Sequence, residues 1–200
     1  MSARKANADP AVVADKLSRV HTGRTRTINV LVDSLRAQQP GAFIPYVDPD
    51  LGGADARVLM LFQDPGDKTM PPDGSGLLSV SNNDRSASRL CEVLDQAGIP
   101  WSELTAWNAI PWYTGGSNSP EDKKAGLLIL IHLTRLLPEL EIVVTFGNVA
   151  TKSWHDAMRL TPELDRYRHI ASRHPSPLGQ TRGGRLILEE SMRQVRTLLT

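Results

Sequence analysis

Asp64 and His174 are the side chains of this sequence best placed to do chemistry. Each sits in a short, rigid segment, Phe62-Gln63-Asp64-Pro65-Gly66 and Arg173-His174-Pro175-Ser176-Pro177-Leu178-Gly179, and each segment follows an apolar run that reads as a buried strand. A carboxylate can stabilise a cationic centre and position water, while an imidazole can stabilise a departing anion. Open α/β sheets bind their ligands at the carboxyl edge, so a shared edge would make these two groups one reaction site. Such a pairing predicts an enzyme.

Strands at 57–62, 104–108, 142–146 and 168–172 must do the positioning. Helical patterns separate them: 85–97 closed by Gly98, a capped helix opening at Ser119-Pro120-Glu121-Asp122 and running to 137 with an all-apolar centre, one from Gly147 to about 159, and an amphipathic one over 184–199. Strands alternating with helices predict an α/β fold, a three-layer α/β/α sandwich with a short, mainly parallel four-stranded sheet. Two helical patterns broken near Gly23, then a Pro-, Gly- and Asp-rich stretch, make residues 1–56 an N-terminal helical extension and connector. Residues 57–200 read as one compact domain. Between Gly66 and Asn83 the chain offers a long loop beside a strand end, a placement that favours function.

The 200 residues suffice for one core. Cys91 is the only cysteine, which excludes an internal disulfide, a thiolate zinc site and an iron–sulfur cluster on this chain's own cysteines; it reads as a buried helix residue. No run has the length of a membrane span and the first residues hold no apolar signal stretch, which points to the cytoplasm, nucleoid-associated in a bacterium. The net charge is only +1, yet Lys and Arg concentrate in residues 1–36 and 150–200 while acids dominate between. Basic ends suit an anionic polymer, although a solvated surface has the same composition.

The segments closing the four strands, Gln63-Asp64-Pro65-Gly66, Asn108-Ala109-Ile110-Pro111, Phe146-Gly147-Asn148 and His174-Pro175-Ser176-Pro177-Leu178, resemble those of the uracil-DNA glycosylase superfamily. The resemblance runs over residues 57–196, and His-Pro-Ser-Pro-Leu is its most specific string. It implies hydrolysis of the bond between an aberrant base and its deoxyribose. Asp64 would face the sugar cation and the attacking water, and His174 would donate to the base oxygen on which charge develops. Asn108 would read the imide edge, with Gln63, Gly66 and Leu78 completing base recognition. Ser88 and Ser176 match phosphate-gripping positions, Leu178 a wedge that fills the vacated stack, and Arg182 and Arg185 lie just downstream. The resemblance implies no metal or organic cofactor. The partner it implies is DNA carrying uracil or a damaged base, bound by a monomer through phosphates and hence salt-sensitively.

Two positions depart from the family. Gly66 stands where the strictly uracil-specific branch has a Tyr that blocks the thymine methyl group, so the expected base range is broader than uracil. No aromatic lies in Gly76-Leu77-Leu78-Ser79-Val80, where a stacking ring belongs; Leu78 offers apolar contact, and Phe62 or Trp112 are candidate substitutes.

Taken singly, each residue has a plainer reading: Asp64 as a turn residue, His174 on the surface, Asn108 as a strand terminator. Other enzyme classes fit worse. Gly74-Ser75-Gly76 lacks the third glycine of a dinucleotide fingerprint, the segment from Gly147 to Ser153 lacks P-loop spacing, and Ser75 has no flanking glycines at elbow positions. Lys68 raises an imine-forming lyase step as a weaker hypothesis. The main rival is a non-catalytic nucleic-acid-binding member of the same fold.

Overall fold

The computed structural model describes residues 4–117, 119–179 and 181–200. The chain runs through α1 (Pro10–Arg19), α2 (Arg26–Gln38), β1 (Tyr46–Val47), β2 (Val58–Phe62), β3 (Leu77–Leu78), α3 (Arg85–Ala97), β4 (Leu104–Asn108), α4 (Pro120–Thr134), β5 (Ile142–Phe146), α5 (Asn148–Leu160), β6 (Arg168–Ser172) and α6 (Arg182–Leu199). Four of the strands form one parallel sheet in the order β4-β2-β5-β6. β4 and β5 are buried along their whole length, as continuous apolar runs require when helices cover both faces. β4 and β6 are the edge strands, and β6 leaves Arg168 and Ala171 exposed, so the strand before His174 is not the buried apolar run expected.

α3 packs with α6 and α4 with α5, with α5 against β2 and β5 and α6 against β6, which gives the three layers. From β2 the chain steps out to β4, then crosses back over β2 to β5. The connections therefore leave in opposite directions from β2 and β5, and a crevice opens between their carboxyl ends. Register places Leu61 opposite Thr145 and Phe62 opposite Asn108, so the closing segments of the strands emerge level with one another.

Several local expectations hold. Ser119 caps α4 by accepting from the Asp122 amide at 3.0 Å with Pro120 in the first turn, Gly98 ends α3 in the left-handed region at φ 65°, and Cys91 is buried. Others need correction. α4 stops at Thr134, and its apolar centre is not enclosed all round, since Leu128 is 58% exposed. The loop expected over 66–83 contains β3, which pairs in parallel with β1 (Tyr46 with Leu77, Val47 with Leu78), and a 3-10 turn at Asp67–Thr69.

Residues before β2 build into the central core. Ile28, Val32 and Leu35 of α2, then Ile44, Val47 and Leu51, belong to the same buried cluster as the sheet. α1 inverts its apolar pattern: Lys16 is 2% exposed whereas Leu17 is 40% exposed. No described helix is long and apolar enough to cross a membrane.

Candidate active site

A cavity of about 750 Å³ occupies the crevice at the carboxyl ends of the sheet. Its floor is aromatic: Phe62 and Phe146, the last residues of β2 and β5, stack with centroids 4.7 Å apart and planes 8° from parallel. Asp64 and His174, 110 positions apart in the sequence, both line this hollow, together with Gln63, Gly66, Leu78, Asn108 and Ser176.

The Asp64 carboxylate is held at both oxygens. Gln63 donates its side-chain amide to Oδ1 at 3.0 Å, and Thr114 donates its hydroxyl to Oδ2 at 2.5 Å. Two charge-assisted hydrogen bonds fix the rotamer of an anion at the cavity wall. The backbone around it is fixed too, because the Ala109 amide donates to the Phe62 carbonyl at 2.8 Å and the Ile110 amide to the Gln63 carbonyl at 2.9 Å, extending the β2–β4 ladder past the strands.

His174 stands edge-on to Phe62, with ring centroids 6.0 Å apart. Its Nδ1 accepts from the Ser176 amide at 3.1 Å, so a neutral ring carries its proton on Nε2. Burial pushes the imidazole below its ordinary 6.5, against the upward pull of the Asp84 and then the Asp64 carboxylates. A neutral, Nε2-protonated imidazole is a donor suited to a carbonyl oxygen that is gaining charge. Two glycines mount it. Gly147 takes φ 89° at the β5–α5 turn, and a Cβ at Gly179 would lie 2.2 Å from the His174 carbonyl oxygen.

Asn108 closes β4 and is 2% exposed. Its Nδ2 is buried with no hydrogen-bond partner among the described residues. Leaving a buried donor unpaired costs about 1–3 kcal/mol, a cost that an acceptor entering the cavity would relieve.

The remaining residues singled out in the sequence divide. Leu178, in the 3-10 turn Pro177–Gly179 beside the cavity, is 94% exposed. Arg182 opens α6 and is exposed, outside the cavity lining. Ser88 also lies outside the lining, and its Oγ is buried with no hydrogen-bond partner among the described residues. Arg85 and Ser86 of the same helix do line the cavity, following Asp84, which caps α3 by accepting from the Ala87 amide at 2.9 Å. Of the two substitute aromatics, Phe62 reaches the cavity. Trp112 does not: it is buried and its Nε1 donates to Asp122 at 2.8 Å. Lys68 is exposed at the lining. Sequence reasoning missed Thr114, which lies fifty residues from its partner with no motif to mark it, and Asp84, whose position just before the first helical turn is an N-cap signal.

Comparison with known proteins bears on the same residues. The family model described as the uracil DNA glycosylase superfamily matches residues 49–196, which contain every group lining the cavity. The fold is similar to the crystal structure of Pedobacter heparinus SMUG2, with 14% identity, 94% of this chain and 98% of that chain covered, and a TM-score of 0.51. It is also similar to the solution structure of a candidate uracil DNA glycosylase from Methanosarcina acetivorans, with 13% identity, 71% and 92% covered, and a TM-score of 0.48. No curated protein matches the chain significantly.

Proposed function

The chain belongs to the uracil DNA glycosylase superfamily, and from that premise we propose that it is a monofunctional DNA glycosylase of base-excision repair that hydrolyses the N-glycosidic bond of uracil or a related damaged pyrimidine. One observation carries the reading: a carboxylate, a neutral imidazole and an unpartnered amide share a single hollow at the sheet's carboxyl edge.

In this reading the target nucleotide leaves the helix stack and its base enters over the Phe62–Phe146 floor. The bond between the sugar C1′ and the base nitrogen breaks, and both electrons go to the base. Asp64 stabilises the cationic sugar and orients a water whose oxygen bonds to C1′, while the water's proton leaves through the carboxylate. His174 donates from Nε2 to the base carbonyl that gathers the negative charge. Asn108 supplies its free Nδ2–H to a carbonyl of the base, and its own carbonyl accepts from the imide N–H; the amino group of cytosine would leave that pairing incomplete. Products are an abasic site and the free base.

Relaxed specificity is a second element of the proposal. A Cβ added at Gly66 meets nothing within 4 Å, so no side chain walls off that flank of the cavity. Leu178 acts as the wedge that fills the vacated stack, and Ser176 and Arg182 grip the flanking phosphates. The protein works as a monomer on DNA.

The test is a duplex with one uracil, incubated with the protein and then treated with alkali. Strand cleavage at that site, lost in Asp64→Asn, is the expected result. DNA binding without an abasic product would replace the enzyme with a non-catalytic binder of the same fold. A parallel panel of thymine opposite guanine, hypoxanthine and etheno-adducts measures the base range.

A further inference from the structure

Lys16 is the charged group least explained by the reaction. Its side chain is 3% exposed, on a helix that leaves the neighbouring Leu17 in solvent. A lysine is buried in this way only when its charge and all its donors are matched. The ammonium has three hydrogens and three acceptors: Asp48 Oδ2 at 2.7 Å, Asp50 Oδ2 at 3.0 Å and Ser81 Oγ at 3.0 Å.

The network continues toward the cavity. Ser79 donates to Asp48, and the Ser81 amide donates to Ser79 Oγ at 3.0 Å. Ser81 donates its hydroxyl to Asn7 Oδ1 at 3.1 Å, and the Asn7 amide nitrogen donates back to the Ser81 carbonyl at 3.1 Å. The Asn7 side chain donates to Asn82 Oδ1 at 2.8 Å, a second bond to that oxygen comes from Ser75 at 2.7 Å, and Asn82 Nδ2 donates to the Leu77 carbonyl at 2.9 Å. Each polar side chain in this chain of bonds has at least one partner. Ser79 and Asn82 themselves line the cavity, as do Leu78, Val80, Asn83 and Asp84 around them.

We propose that the N-terminal segment is a clamp on the base-binding cavity, with Lys16 the positioning residue that holds the 78–84 wall in the shape a flipped base requires. The proposal rests on the glycosylase reading for its substrate. Ser79, Asn82 and their neighbours follow β3, whose strand pairing covers only Leu77 and Leu78, so strand pairing does not extend over the wall at 79–84. Bonds from Asn7 and Lys16 supply that restraint from behind. Lys16 acts through the wall and does not touch the base.

Two variants test the clamp, Lys16→Met and the milder Asn7→Ala, each in the full chain. Hydrogen–deuterium exchange of the 77–85 amides reads the wall. Single-turnover release of uracil from duplex, with a 2-aminopurine beside the lesion to report base extrusion, reads the function. The expected result is faster exchange confined to 77–85, release at least tenfold slower with a smaller 2-aminopurine signal, and affinity for undamaged duplex within threefold of wild type. Unchanged exchange at 77–85 overturns the clamp, and faster exchange with undiminished release overturns its role in base acceptance. If Lys16→Met exchanges freely throughout the molecule, Asn7→Ala decides by the same criteria. A wild-type protein that releases no base overturns the glycosylase reading instead, and the exchange arm then decides alone whether the clamp exists.

Discussion

Thr114 donates its hydroxyl to Oδ2 of Asp64 at 2.5 Å, joining the loop after β4 to the loop after β2. The bond fixes which edge the carboxylate presents to the cavity. Thr114→Val should therefore lower single-turnover release by about tenfold, about 1.4 kcal/mol in the barrier, and Thr114→Ser should restore most of it. Equal release by the Val and Ser variants would remove Thr114 from the positioning of Asp64.

His174 acts as a neutral donor in the proposed reaction, and burial depresses its pKa below 6.5. Protonation would place a hydrogen on Nδ1, facing the Ser176 amide hydrogen it now accepts. Because the folded pKa is lowered, the neutral form persists as pH falls through 6.5. The rate–pH profile should show no break from this group at 6.5, only at lower pH, and His174→Ala should cost about 10²–10³ in release. An inflection at or above 6.5 that vanishes in His174→Ala would contradict the assignment.

The unpartnered Nδ2 of Asn108 predicts an unusual pair of effects. Asn108→Leu removes a buried donor that has no partner in the free protein, so folding stability should hold or rise. Release of uracil should nevertheless fall by about 10²-fold or more, because the base loses both hydrogen bonds. Parallel thermal melts and single-turnover rates check this; a variant that loses stability yet keeps activity would show Asn108 to be a structural residue.

Arg182 and Leu178 should separate in salt titrations. Arg182→Ala is expected to weaken binding of every duplex alike and to reduce the slope of log affinity against log salt by about 1. Leu178→Ala, which removes a side chain that is 94% exposed, should leave that slope intact and slow only base extrusion. A wild-type affinity insensitive to salt would count against phosphate anchoring by the basic ends.

Away from the cavity, His169 is pushed down to about 4, first by burial and second by the neighbouring His155, and its Nε2 lies 2.9 Å from Thr145 Oγ1. Its folded pKa lies below the unfolded value of 6.5. The stability from keeping this ring neutral is thus fully present above pH 6.5 and is lost as pH falls from 6.5 through about 4. Urea midpoints should drop over that window, and less steeply in His169→Gln.

The ends of β2, β4 and β5 were legible because largely apolar runs closed by Pro, Gly or Asn mark buried parallel strands; β6 (Arg168–Ser172) is mixed in character and was marked mainly by the Pro-rich segment that follows it, and parallel pairing carries all four closing segments to one edge. The convergence of Asp64, Asn108 and His174 on one cavity was recoverable for that reason. β1 and β3 were not, since two residues cannot show a period. The burial of Lys16 in place of Leu17 opposes the apolar pattern of α1, and only the distant Asp48, Asp50 and Ser81 explain it. Thr114 and Asp64 meet through tertiary packing that no local signal records. Ser88 carried a family-derived role, while the structure turns its hydroxyl inward and presents Ser86 to the cavity.

Gly66 and Gly179 differ sharply in the room around them. One opens onto empty space; the other presses against the carbonyl of His174 at a distance no side chain could survive. Side chains introduced at position 66 therefore leave the imidazole's mounting untouched, whereas any replacement at 179 moves His174 itself. Under the proposed reaction, selectivity and chemistry would then be separately mutable, and a laboratory lineage could retune the first while holding the second constant.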